Sequence, residues 1–226
     1  MQASNDNISP KQFKRFKERR DMKFTKWQND LLETLCWRLR VVSITQLCRH
    51  SKLRRRVIQD RTRKLRKAGF VALVATAVHN WHELSPLVRW PSHTWADDFT
   101  RLPWLLEKRW GQMEFRRDQV VWLTPAGAAH IGGRNGGLRQ RLQVQHDLGV
   151  AAIYFSISSK LRSRWVSEDV LRECGGLPAM RRIPDAALAT DGAVSTVIEF
   201  GGQYDKQKLK RFHLAAKRGG VRYDFY

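Results

Sequence analysis

Two acidic residues in the last third of the chain are spaced as the ends of neighbouring strands. Asp185 stands at the head of one apolar run and Glu199 ends the next. The Asp191-Gly192 pair between them is typical of a hairpin turn. The two carboxylates can therefore meet at one sheet edge, where they would suit Mg²⁺, which takes hard oxygen ligands and activates water for phosphodiester cleavage.

Each of these acids also has a purely structural interpretation. Asp185 could cap the turn that follows Pro184, and Glu199 could form an ion pair with Lys206 or Arg211. Both interpretations stay open at the level of sequence.

A zinc site is not favoured. His79, His82 and His93 have no fourth ligand at regular spacing, and the three cysteines of the chain are far apart. Neither a CxxC zinc site nor a disulfide framework is therefore expected.

The stretch from Arg54 to Phe70 predicts a helix with one apolar and one cationic face. A short helix begun by Ser43 precedes it and a strand follows, which is the layout of a helix-turn-helix whose second helix enters a DNA groove. The expected DNA contacts share the outer face: Arg55, Arg56, Gln59, Arg63, Arg66 and Lys67. Gln59 and Arg63 lie at its centre and are the expected base readers. A solvated helix face with no partner is the alternative.

Whole-chain charge favours nucleic acid. The formal net charge is +21, and residues 1–70 hold 20 Lys or Arg against 6 Asp or Glu. Such polarisation is expected of a surface that replaces counterions on a phosphate backbone. A membrane is not an expected partner, since no long apolar span or lipidation motif accompanies the charge. The first residues lack the apolar core of a secretory signal, so we expect a cytoplasmic, nucleoid-associated protein.

Composition predicts an α+β chain in separately folding parts. The expected segments are a basic mobile arm (1–25), a winged-helix DNA-binding domain (26–131), a Gly-rich linker (132–137) and an α/β domain (138–226). Within the second segment, 79–119 reads as an insertion between two wing strands and carries five of the nine tryptophans. We expect these rings to close a small core or a dimer face; stacking on bases is the alternative.

The motif order after the linker resembles a known fold. A helix, a strand, Ile183-Pro184-Asp185, a strand ending in Glu199 and a further helix resemble the PD-(D/E)XK nuclease core. With a winged helix in front, the chain after Trp27 resembles the replication-relaxation family of plasmids and mobile elements. The family's histidine corresponds to His146, and its lysine-bearing helix to 208–212. The resemblance implies an N-terminal winged helix-turn-helix domain and a small α/β nuclease-like domain.

The resemblance also assigns roles. In an active site Asp185 and Glu199 would hold Mg²⁺ and Lys208 would supply the cation, with His146 and Glu168 as further candidates. An active site of this type has lysine two residues after the acid, where this chain has Gly201. We therefore expect an inactive or weakly active nuclease-like domain, with no cofactor required for DNA binding.

The expected function is sequence-specific or structure-specific binding of double-stranded DNA by a protein of a plasmid, phage or integrative element. It would act in replication, transfer or its regulation, with other replication or transfer proteins, or a second copy of the chain, as further candidate partners. Two alternatives stay open. One is a Mg²⁺-dependent DNA endonuclease, and the other is a transcriptional repressor or antitoxin-like regulator that dimerises through the Trp-rich insertion.

Overall fold

The computed structural model describes residues 23–81, 84–91, 99–133, 143–178, 180, 182–202 and 204–226. These residues form a mixed α+β fold of nine helices and eight strands in two sheets. The helices are α1 Lys26–Trp37, α2 Ile44–Ser51, α3 Arg55–Lys67, α4 Arg101–Gly111, α5 Pro125–His130, α6 Val144–Ser156, α7 Ser159–Arg162, α8 Glu168–Glu173 and α9 Lys206–Arg218. The strands are β1 Val41–Ser43, β2 Val71–His79, β3 Val88–Trp90, β4 Phe115–Leu123, β5 Trp165–Ser167, β6 Ala186–Thr190, β7 Ala193–Glu199 and β8 Arg222–Phe225. Most of the expected basic arm and residues 134–137 of the expected linker lie outside the described residues.

The N-terminal unit packs α1, α2 and α3 against an antiparallel sheet of order β1-β4-β2. Thr25 and Ser43 begin α1 and α2 through capping boxes, in which each side chain accepts from a backbone N–H three residues ahead. Ser43 is the cap that the sequence predicts. β2 and β4 pair over nine residues, from Val71 opposite Leu123 to His79 opposite Phe115.

Helix α3 is amphipathic in the sense that the sequence predicts. Ile58, Thr62 and Leu65 are buried against the neighbouring elements. Arg61 points toward the same side, and its guanidinium lies over the Trp27 ring, 5.4 Å from the centroid, which satisfies its charge beside the core. The helix ends before Gly69, whose φ of 81° turns the chain into β2.

The second sheet has the order β3-β8-β7-β6-β5, with β7 and β8 parallel and the other pairs antiparallel. The predicted hairpin turn between β6 and β7 is present, and Asp191 and Gly192 both have positive φ, 51° and 78°. Apolar residues of α6 pack with Ile198 and Phe200 on one face of the sheet, whereas α9 packs on the other.

The Trp-rich insertion is not a separate part of the first unit, and its expected bounds of 79–119 are too wide. β4 begins at Phe115 because its pairing with β2 continues to that residue. Between these two strands, β3 pairs with β8, with Val88 opposite Phe225. The insertion therefore supplies the edge strand of the second sheet, and a division of the chain at 132–137 does not separate the two sheets.

Two insertion tryptophans are core residues. The indole N–H of Trp81 donates to the Gln145 carbonyl at 3.1 Å, and that of Trp110 donates to the Gly201 carbonyl at 2.7 Å. The two rings pack edge to face, 4.8 Å apart. Trp104 is the insertion's exposed tryptophan among the described residues, and Trp95 lies outside them. The ring of Trp81 is therefore buried in the core, and that of Trp110 is partly buried against it.

The two units share one hydrophobic core. Its buried residues come from α1, α2, α3 and β4 of the N-terminal unit and also from α6, β5 and β7. Trp165 lies at this junction with no exposed surface; its indole N–H donates to the Arg38 carbonyl at 3.0 Å, and Ser167 Oγ donates to the Trp37 carbonyl at 3.0 Å. The packing therefore joins the two units, which the sequence predicts to fold separately, through one core.

Trp165→Ala should destabilise the whole chain. Removing a fully buried indole leaves a cavity in the shared core, and such changes cost about 3–5 kcal/mol. We expect one unfolding transition in urea, shifted as a unit, with circular dichroism and tryptophan fluorescence in agreement. Trp104→Ala, at an exposed site, should change the free energy of unfolding by about 0.5 kcal/mol or less. Two transitions with only one of them shifted would show independent domains.

Candidate functional site

The two predicted acids meet where strand β6 begins and strand β7 ends. Ala186 pairs with Ile198, so Asp185 falls opposite Glu199 one step further along the ladder. The Asp185 backbone N–H donates to Glu199 Oε2 at 3.4 Å, and the Phe200 N–H donates to Asp185 Oδ2 at 2.8 Å. The hairpin register therefore brings the two carboxylates to one edge, as the sequence predicts.

His146 completes this pair from the first turn of α6. Its Nε2 lies 3.2 Å from Asp185 Oδ2 and its Nδ1 lies 3.5 Å from Asp147 Oδ1. Burial disfavours the imidazolium, but the negative charges of Asp185 and Asp147 outweigh it and raise the pKa of His146 to about 10. His146 is thus a cation held between two carboxylates at neutral pH, and not a neutral core histidine.

Glu199 is the most deeply buried acid of the site, with no exposed surface. Tyr204 donates its hydroxyl hydrogen to Glu199 Oε1, and Arg182 Nη2 lies 3.0 Å from the same oxygen. Burial and the nearby Asp185 charge raise the pKa of Glu199 to about 8, against the opposing effect of Arg182. The alternative ion pair of Glu199 with Lys206 or Arg211 is not formed, because Arg182 holds that position.

Arg182, Tyr204 and Lys208 form a cationic wall beside the acids. The Lys208 ammonium lies 3.9 Å from the centroid of the Tyr204 ring, and the Arg182 guanidinium lies 5.2 Å from the same centroid. Burial and the Arg182 charge lower the pKa of Lys208. Sequence reasoning missed Arg182 and Tyr204, although basic residues directly before Ile183-Pro184 were a visible signal.

Glu168 occupies a different place from the expected one. The sequence predicts it at the end of a strand, but Ser167 caps α8 by accepting from the Val170 N–H, so Glu168 begins that helix. Its carboxylate is bound by Arg40, 2.8 Å away, and by Arg172. Glu168 therefore lines the site already paired with two guanidinium groups.

Arg40 links the N-terminal unit to this site, and the sequence gives no motif for it. The residue precedes β1, and its guanidinium lies 2.8 Å from Asp169 and 3.7 Å from Asp147. Burial opposes its charge, but these carboxylates and Glu168 raise the pKa of Arg40. Only the packing of the two units brings these side chains together.

One cavity of about 520 Å³ gathers most of the predicted residues. Its walls include His146, Glu168, Asp185 and Lys208, with Glu199 buried beneath. Four of the five candidate catalytic residues therefore line a single space, and the fifth, Glu199, is buried and contacts Asp185.

Gly201, where an active nuclease of this type has lysine, faces away from the cavity. A Cβ built there would lie 2.3 Å from Leu106 Cδ2 and 2.6 Å from Phe225 Cε1. Helix α4 therefore covers this position, and a lysine side chain here would have to displace it.

The carboxylates do not fit Mg²⁺ in this arrangement. Among the described residues, no group of three or more His, Cys, Asp or Glu side chains is arranged to hold a metal ion. Asp185 and Glu199 instead accept hydrogen bonds from backbone N–H groups, Tyr204 and Arg182, and His146⁺ contacts Asp185. A divalent cation would have to displace these donors and approach two protein cations.

The predicted DNA-contacting residues lie together on the outer face of α3. Arg55, Arg56, Arg63, Arg66 and Lys67 are exposed and Gln59 is half-buried. Two of them are tied to β4. Arg55 Nη2 lies 2.6 Å from Asp118 Oδ1, and Gln59 Nε2 donates to Gln119 Oε1 at 2.9 Å.

Arg63, the second expected base reader, is 60% exposed at its side chain and forms a surface ion pair with Asp60. Burial acts to raise the pKa of Asp118, but hydrogen bonds from Arg55 and Thr45 lower it below its ordinary value. The Asp118 carboxylate therefore holds α3 against β4 through Arg55, while Arg63, at the centre of the outer face of α3, stays exposed.

Comparisons of the chain with protein-family models, curated proteins and solved structures found no match. No helix in the described part of the chain is long and apolar enough to cross a membrane.

Glu199→Gln should flatten the pH dependence of stability. Because the pKa of Glu199 is raised in the fold, its contribution to the free energy of unfolding is lost as pH rises from about 4.5 through about 8. Glutamine does not ionise and keeps an acceptor for Tyr204, so the variant should lose less stability across this window. Urea unfolding at intervals of pH measures the difference.

Asp30→Asn, at an exposed carboxylate, is the matched control and should keep the wild-type slope. The part of the slope due to His146, between about 6.5 and about 10, should remain in the Glu199 variant. An unchanged slope between pH 4.5 and 8 would show that Glu199 is an ordinary ionised acid.

Proposed function

We propose that this protein binds double-stranded DNA through helix α3 and that its C-terminal unit is a nuclease-like fold retained for binding. On this proposal, which follows the resemblance to replication-relaxation proteins, the protein acts at a replication, transfer or regulatory sequence of a plasmid, phage or integrative element.

The observation that carries the proposal is the outer face of α3. Arg56, Arg63, Arg66 and Lys67 project from the side opposite the buried Ile58 and are exposed. A row of cations on one helix face replaces counterions along a phosphate backbone and can enter a major groove.

The surrounding architecture supports a winged helix-turn-helix. In chain order, α3 follows the short helix α2 and precedes β2, and β2 pairs as in a wing with β4, which follows the insertion that carries β3 and α4. The contacts of Arg55 and Gln59 with β4 fix α3 relative to that wing. A rigidly held helix loses little conformational entropy on binding DNA.

Changing Arg63 and Lys67 together to Ala tests this surface. We expect duplex affinity to fall and the slope of log K against log salt to flatten by about one unit for each phosphate that the variant no longer neutralises. Fluorescence anisotropy of a labelled duplex across a salt series measures both quantities.

Lys26→Ala with Lys160→Ala removes the same charge from exposed sites on α1 and α7 and is the matched control. An equal fall in affinity in the control would show that the effect of the α3 variant comes from lost net charge and not from the α3 surface. Unchanged affinity and slope in the α3 variant would refute the placement of the DNA surface.

A Mg²⁺-dependent endonuclease is the second candidate, and the convergence of Asp185, Glu199 and Lys208 around one cavity favours it. Against it stand Gly201, covered by α4, and the cations Arg182 and His146 beside the acids. An active nuclease needs a free ligand set and a cation aimed at the transition state, and removing one such stabilising group typically costs on the order of a hundredfold in rate.

Purified protein should therefore not nick supercoiled plasmid with Mg²⁺ or Mn²⁺. Duplex binding should survive Asp185→Asn and Glu199→Gln, which keep the shapes of the buried side chains. Metal-dependent nicking that disappears in Asp185→Asn and in Lys208→Gln would instead establish the endonuclease.

A further inference from the structure

Two adjoining cavities form a cationic groove that runs from the acids along α9. It joins the cavity of about 520 Å³ to a second one of about 790 Å³, and Arg182 and Lys208 line both. Among the described residues, the charged side chains that line these two cavities, histidine aside, are six bases, Arg40, Arg172, Arg182, Lys208, Arg211 and Arg218, and two acids, Glu168 and Asp185.

The two acids compensate charge in the first cavity only, and neither lines the second. Glu168 is paired with Arg40 and Arg172, and Asp185 is paired with His146. Arg211 and Arg218 are exposed, and in the described part of the chain neither lies within ion-pair distance of a carboxylate. The second cavity therefore has an uncompensated positive charge.

Two cations lie over the Tyr204 ring where the two cavities meet. Lys208 and Arg182 both contact this ring, and their mutual repulsion contributes to the lowered pKa of Lys208. Like charges held this close disfavour the free state, and an anion seated between them would relieve the repulsion.

The floor of the second cavity is apolar. Pro178, Met180, Phe212, Leu214 and Ala215 line it between the cations. Duplex DNA presents only phosphates and grooves to such a surface, whereas a single strand can also place its base faces on an apolar floor. Grooves that bind single strands combine these same two features.

We propose that this α9 groove binds a single strand of nucleic acid, with phosphates on Lys208, Arg211 and Arg218 and bases over the apolar floor. The site shares no residue with the α3 surface and goes beyond the proposed duplex-binding function. A protein with both surfaces holds duplex and unpaired strand at once, as at a melted or nicked site.

Arg211→Gln combined with Arg218→Gln tests the groove with labelled oligo(dT). Both side chains are exposed, so the variant should fold as the wild type does. We expect affinity for oligo(dT) to fall about tenfold near 0.1 M salt and the salt slope to flatten by about 1.4, at about 0.7 for each phosphate neutralised on a single strand. Affinity for a duplex of equal length should stay within about twofold.

Unchanged affinity for oligo(dT) would overturn the inference. An equal fall for oligo(dT) and duplex would overturn it too, since the groove would then be a general phosphate surface. Lys26→Gln with Lys160→Gln controls for net charge, and an equal fall there would also contradict the inference. The Arg63→Ala with Lys67→Ala variant tests the proposed duplex-binding function separately, because it changes α3 and leaves the α9 groove intact.

Discussion

The carboxylate of Glu199 ends strand β7 with no exposed surface, and a buried carboxylate must be neutralised by protonation or by donors. Tyr204 and Arg182 supply those donors, and the nearby Asp185 is balanced in turn by His146. The positions of α6, β6 and the N-terminal end of α9 are all constrained by this requirement. Among the described residues, Lys208 lies over the Tyr204 ring and forms no ion pair with either acid.

A second chain of charges connects the site to the N-terminal unit. Arg40 binds Asp147, Glu168 and Asp169, while Asp147 also contacts His146. The junction is otherwise apolar, with Trp165 at its centre. Removing one partner of such a buried network exposes the others to an uncompensated charge, so the relative position of the two units is fixed by electrostatics as well as by packing.

The same arrangement separates two cationic surfaces. The α3 cations point outward from a helix anchored on β4 by Asp118, whereas the α9 cations line a groove over an apolar floor. Their surroundings differ, so their expected partners differ. An exposed cationic helix suits the regular phosphates of a duplex, and a cationic groove with an apolar floor suits an unpaired strand.

Local pattern by itself determined much of this molecule. The helical period placed the faces of α3, Ser43 marked the start of α2, and Asp191-Gly192 fixed the hairpin that brings Asp185 opposite Glu199. Each of these depends on neighbours within a few residues, and such signals are visible in sequence. The candidate acids Asp185 and Glu199 follow from the same short motifs, whereas His146 and Lys208 follow from the resemblance to the nuclease-like core.

Only the tertiary structure decided what surrounds those residues. Arg40 lies more than one hundred positions from its partners, and the paired strands β3 and β8 are as far apart in the chain. No local period marks such pairings. Two further contacts could not be predicted from sequence: α4 packs over Gly201, and Arg182 forms an ion pair with Glu199. Both depend on how whole elements pack and not on the local preferences of the residues.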